Sequence, residues 1–172
     1  MDMTRFKKFD LECSKKLPGE IKKILKKARG QRICAIGFVT TDDFYGMYLC
    51  WDYTNKITEY FEWENASEPS FLYQTLVDVV DASKDIDLCN PSDAKWDFAL
   101  TLLAVLDKNI KSIPDKVFQK NGFKREDIIF FATMGDGDYV QEMLDASVKM
   151  FNTYALRQIL FMGEVPLGEI SP

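Results

Sequence analysis

Two runs rich in β-branched and aromatic residues, "RICAIGFVT" (32–40) and "FYGMYLCWDY" (44–53), are separated by only Thr41, Asp42 and Asp43. This spacing constrains the fold more than any other feature, because a short polar connection of turn-forming residues makes an antiparallel hairpin the natural arrangement. A third strand is expected at 57–63, "ITEYFEW", with Ile57, Glu59, Phe61 and Trp63 on one face, and a buried strand at 127–133, "DIIFFAT".

The remaining patterned segments are helical. Leu17, Ile21, Ile24, Leu25 and Ala28 recur at helical spacing, with Pro18 suited to a first turn and Gly30 to a stop; a separate helix over 4–13 would make the start two helices or one kinked helix. Leu72, Leu76, Val79 and Val80 mark a helix in 71–83. Ser92 and Asp93 offer caps for a longer one over 94–110, whose Trp96, Ala99, Leu100, Leu103 and Leu106 can face a core. Pro114 ends that run, a short helix over 115–121 stops at Gly122, and 138–162 reads as helix with a break near Asn152. Together these segments predict an α+β fold: a small, mostly antiparallel sheet of three to four strands with helices packed on it.

A length of 172 residues without a repeat or a Pro/Gly-rich linker fits a single domain over 1–172. It would comprise a basic helical segment (1–30), sheet and helices (31–162) and an irregular tail (163–172). Residues 1–32 carry eleven basic against four acidic residues, a net charge of +7, so a whole-chain charge of −5 leaves −12 on the remainder. Two surfaces of opposite sign are expected, the acidic one larger.

Histidine is absent, which removes imidazole as a zinc ligand and as the base of a Ser-His or Cys-His pair. Cys13, Cys34, Cys50 and Cys89 are scattered and form no C-x-x-C pair, so they read as reduced, mostly buried thiols. Charges occupy the first sixteen residues where a signal peptide needs apolar ones, and no run approaches the roughly 18 apolar residues of a membrane span. A cytoplasmic protein with no membrane partner is the expectation.

"IIFFATMGDGDYVQEM" (128–143) is the stretch most like an active site. Asp136 and Asp138 follow a strand, and with Glu142 they could hold a divalent metal in a small metal-dependent hydrolase. Against that, Val140 stands where a phosphohydrolase motif needs a hydroxyl, and two aspartates would repel a phosphate from the glycine-bearing loop. The structural alternative needs no ligand: Gly135 and Gly137 permit positive φ, and Asp138 caps the next helix with Gln141 three residues on. Lys22, Lys23, Lys26 and Lys27 could serve a nucleic-acid adaptor, yet they flank an apolar stripe as its solvated face would, and nucleic acid is not the expected partner.

The order of elements, with the turn Thr41-Asp42-Asp43 after a strand, the strand and loop "DIIFFATMGDGD", and Ser147 and Asn152 in "DASVKMFNTYALRQIL", resembles the bacterial family known as domain of unknown function 4303. In the middle, where that family tends to have a short W-x-x-x-W stretch, this chain has "CWDYTNKITEYFEW". Proteins of that family look like accessory proteins of polymorphic toxin loci. The resemblance therefore implies a non-catalytic immunity protein, without a cofactor, that binds the C-terminal domain of a cognate toxin in a contact-dependent or secreted toxin system. An acidic, aromatic-bearing surface around Asp42, Asp43, Phe44, Tyr45, Asp136, Asp138 and Tyr139 is the expected binding site, since charge steers association and aromatic anchors hold it.

Overall fold

A computed structural model of the chain describes residues 3–30, 33, 35–52 and 65–152. In chain order the elements are α1 (Lys7–Lys27), β1 (Ala35–Thr40), β2 (Met47–Asp52), β3 (Asn65–Ser67), α2 (Ser70–Asp81), α3 (Asp93–Ser112), α4 (Asp115–Gln119), β4 (Ile129–Met134) and α5 (Val140–Phe151). The fold is α+β, with helices on a four-stranded sheet ordered β3-β2-β1-β4. The expected hairpin is present, β1 and β2 pairing antiparallel from Ala35↔Asp52 to Thr40↔Met47. β3 adds antiparallel to β2, while β4 lies parallel to β1, from Ala35↔Ile129 to Thr40↔Met134.

β1 and β4 are buried at every position. Their alternation divides them between two layers: Ile36, Phe38, Phe130, Ala132 and Met134 join the large core under α1, α2 and α3, whereas Ala35, Val39, Ile129 and Phe131 form a smaller cluster with Leu144 and Val148 of α5. α5 packs along β4, whose outer edge would otherwise offer unpaired backbone groups. The Ser147 hydroxyl bonds both the N–H (2.8 Å) and the C=O (2.9 Å) of Ala132, and the Asn152 amide bonds the N–H (2.9 Å) and C=O (2.6 Å) of Phe130. A side chain of α5 and that of the residue just after it thus stand in for a neighbouring strand.

Several boundaries differ from the sequence reading. The first helix is continuous through Pro18, rather than two helices; the apolar stripe Phe9, Cys13, Leu17, Ile21, Ile24, Leu25 is buried along its whole length. The hairpin loop is 41–46, longer than three residues, because Phe44 turns inward with φ 61° and β2 begins only at Met47. On α3 the expected Ala99, Leu103 and Leu106 are buried and Trp96 packs partly against the core, but Leu100 is exposed, and the buried face also takes in Lys95, Phe98, Leu102 and Val105. The strand expected at 57–63, and the helix and tail beyond residue 152, lie outside the described residues. Among the described residues no helix is long and apolar enough to cross a membrane.

Candidate functional site

β1 and β4 run parallel and end side by side at Thr40 and Met134, so the loops that follow them, 41–46 and 135–139, emerge together. The Gly135 N–H donates to the Thr40 carbonyl at 2.8 Å, extending the ladder, while the Thr40 hydroxyl donates to the Gly46 carbonyl at 2.7 Å and closes the hairpin loop. Six of the seven expected site residues are half or fully exposed on these loops or at their ends, Asp42, Asp43, Tyr45, Asp136, Asp138 and Tyr139, and only Phe44 is buried.

A residue that the sequence reading passed over organises them. Lys95, in the first turn of α3, has no solvent exposure, and its ammonium donates to Asp42 Oδ1 at 2.8 Å and approaches Asp138 Oδ2 at 3.5 Å. The Asp138 N–H donates to the same Asp42 oxygen at 3.3 Å. Burial disfavours the charged lysine, but the hydrogen bonds and attraction of Asp42 and Asp138 outweigh it and hold its pKa above the ordinary lysine value. Ser92 places the lysine: its side chain caps α3 by accepting from the Lys95 N–H at 3.1 Å, and its carbonyl accepts the Tyr139 hydroxyl at 3.2 Å. The Tyr139 ring lies 5.3 Å from Trp96 and 5.9 Å from the Lys95 ammonium.

Asp138 therefore does not cap α5. The helix starts after Tyr139 with no side-chain cap, and Gln141, the other half of the expected capping box, donates to Asp145. The stronger competitor is a buried ammonium, which gains more from a carboxylate than two exposed backbone N–H groups do. Gly137 has φ 100°, as the loop requires, and a Cβ there would collide with the Asp42 carboxylate. Gly135 has no positive φ.

Phe44 has no exposed surface: its ring packs 4.9 Å from Phe98 in the core, so it anchors the loop from beneath and is not a contact residue. Beside it Tyr45 points outward, 44% exposed, and its N–H is held by the Thr41 hydroxyl (2.8 Å) and the Asp43 carboxylate (3.1 Å). A shallow cleft of about 290 Å³ opens next to Tyr45 and Asp43, with Asp81, Lys84 and Asp87 on its walls and Ile86 and Leu88 along its lining.

Asp136 and Glu142 are exposed, but Asp138 turns to Lys95, whose ammonium stands between Asp42 and Asp138 where a cation would sit. Among the described residues no group of three or more carboxylates or thiols could hold a metal ion. Chemically the arrangement can present carboxylates and an aromatic ring on a braced platform. Comparison of the chain with family models, with characterised proteins and with solved structures finds no match.

Proposed function

We propose that this chain is a non-catalytic immunity protein that binds and neutralises the C-terminal domain of a cognate bacterial toxin in the cytoplasm. The observation that carries the reading is the rim on the two braced loops: exposed Tyr45 beside Asp43, with Asp136 and the outer part of Asp138 across from it. Four aspartates on these loops against the one ammonium of Lys95 leave a formal surplus of three negative charges.

Such a rim suits a basic protein surface. Long-range attraction raises the encounter rate, and an exposed tyrosine supplies contact area at small entropic cost. The bracing by Lys95 matters as well, because loops already held in the bound geometry lose little freedom on association. The cleft beside Tyr45 has apolar side chains in its lining and three carboxylates, Asp43, Asp81 and Asp87, against the one ammonium of Lys84, a surplus of negative charge that suits the stem and head of a lysine or arginine.

The test is co-expression with the C-terminal domain of a secreted protein encoded beside this chain, read as growth and as a tagged pull-down. A stoichiometric complex that restores growth is expected, and Asp43→Lys together with Asp136→Lys should weaken it at least tenfold while leaving the fold intact. Growth restored with no complex, or a complex indifferent to those reversals, would sink the proposed surface.

A further inference from the structure

The outward face of α1 takes no part in the acidic rim. Lys7, Leu11, Lys15, Lys22 and Lys26 follow one another at spacings of four or seven residues, so they share one side of the helix, and all are exposed. The acidic residues of α1 are drawn to other contacts: Asp10 accepts from Lys108 and Asn109, Glu12 pairs with Lys16, and Glu20 with Lys23. The stripe therefore carries four lysines and no carboxylate.

Its apolar members are also unusual. Met3, in the turn before α1, and Leu11 are 52% and 51% exposed, more than any other large apolar side chain among the described residues. At 21 residues the helix is roughly 31 Å long at 1.5 Å per residue, so the stripe is a long basic edge with Leu11 on it and Met3 exposed in the turn that precedes it.

We propose that this face docks on a bilayer bearing anionic headgroups, Lys7, Lys15, Lys22 and Lys26 meeting phosphates while Leu11 and Met3 enter the acyl boundary. Basic side chains with a few apolar ones on a surface helix give reversible binding of this kind, which needs no spanning segment. Nucleic acid is the weaker fit, because the stripe has no arginine fork to grip a phosphate and no aromatic ring to stack on a base. The −12 carried by residues 33–172 would also orient the molecule, turning its basic segment toward an anionic surface. This inference stands apart from the toxin complex and survives its failure.

The full chain is mixed with vesicles of phosphatidylcholine alone or with about a third phosphatidylglycerol, and sedimented at low and high salt. Capture only by the anionic vesicles, falling at least tenfold at high salt, is expected. Replacing Lys7, Lys15, Lys22 and Lys26 by Gln should abolish it, whereas Lys108→Gln with Lys111→Gln and Lys116→Gln should not. Leu11→Gln should weaken capture several-fold while moving the melting temperature little, since half of the side chain is exposed and glutamine keeps the helix propensity. No preference for anionic vesicles, capture that survives the four-lysine change, or tighter binding to a short duplex DNA than to the vesicles would overturn the proposal.

Discussion

The ammonium of Lys95, wholly shielded from solvent, lies 2.8 Å from a carboxylate oxygen of Asp42, 53 residues earlier in the chain. This contact joins the hairpin loop to the start of α3, and the longer approach to Asp138 brings in the loop after β4. Replacing Lys95 by Met keeps the packed stem and removes the charge. Breaking a fully buried pair costs about 3–5 kcal/mol, but Asp42 and Asp138 are 28% and 40% exposed and regain water. A loss of about 2 kcal/mol is expected in urea unfolding. Amide exchange at residues 42–45 and 136–139 should quicken in the same variant.

The same contact sets a direction for the pH dependence. Lys95 binds its proton more tightly folded than unfolded, so its contribution is complete below the ordinary lysine value of about 10.4 and is lost as pH rises through the higher folded value. The melting-temperature difference between wild type and Lys95→Met should stay constant from neutral pH to about 10 and shrink above it. Asp10 works at the other end. Burial raises its pKa, yet the hydrogen bonds from Lys108 and Asn109 more than offset that and hold it below the ordinary value. Its contribution is present above about 3.9 and lost as pH falls through the folded value, so the gap between wild type and Asp10→Asn should close in acid.

Gly137 should tolerate no side chain. At φ 100° an alanine is strained, and its Cβ would meet the Asp42 carboxylate and push it from Lys95. Gly137→Ala should cost about 2 kcal/mol, part of it backbone strain. If the rest comes from the displaced carboxylate, the penalty should be smaller in an Asp42→Ala background, as a double-mutant cycle would show.

The hairpin and the α+β class were legible because alternation and turn residues are local signals, whereas the site was not, because its organiser is a residue type expected at the surface. Lys95 lies three residues before Phe98 and four before Ala99, on the stripe that α3 buries, so periodicity did mark it as inward-facing. The reading along Trp96, Ala99, Leu100, Leu103 and Leu106 had Ala99, Leu103 and Leu106 inward, as they are, but started the stripe at Trp96 and so hid the lysine. Asp138 misled for a related reason: the local capping rule is sound, but a buried ammonium from 43 residues away competes for the same carboxylate. Phe44 looked like a loop aromatic and proved to be core, since nothing local to it reveals Phe98 beneath.

Thiol reactivity gives a check on the packing that is independent of any partner. Cys13 and Cys50 are buried, and burial pushes the Cys50 thiol up to about 12 and raises that of Cys13 as well, while Cys89 is exposed. In a Cys34→Ser background, a maleimide at neutral pH should label one thiol quickly, and Cys89→Ser should abolish that phase. Fast labelling of Cys50 would mean that the sheet opens at β2.

The edge of β4 provides the strictest test of the fold. Asn152 offers its amide to both the N–H and the C=O of Phe130, and Ser147 does the same for Ala132 with one hydroxyl. These backbone groups are buried, so they cannot turn to water when a side chain is cut away. Asn152→Ala should therefore cost about 1–3 kcal/mol, with faster amide exchange at Phe130. Asn152→Asp separates the two halves of the contact: its carboxylate still accepts the N–H but faces the Phe130 carbonyl with no donor, so it should be no better than alanine. If Asn152→Ala were neutral, the Phe130 backbone groups would not depend on this amide, and the closure of the edge would rest on Ser147 and the packing of α5.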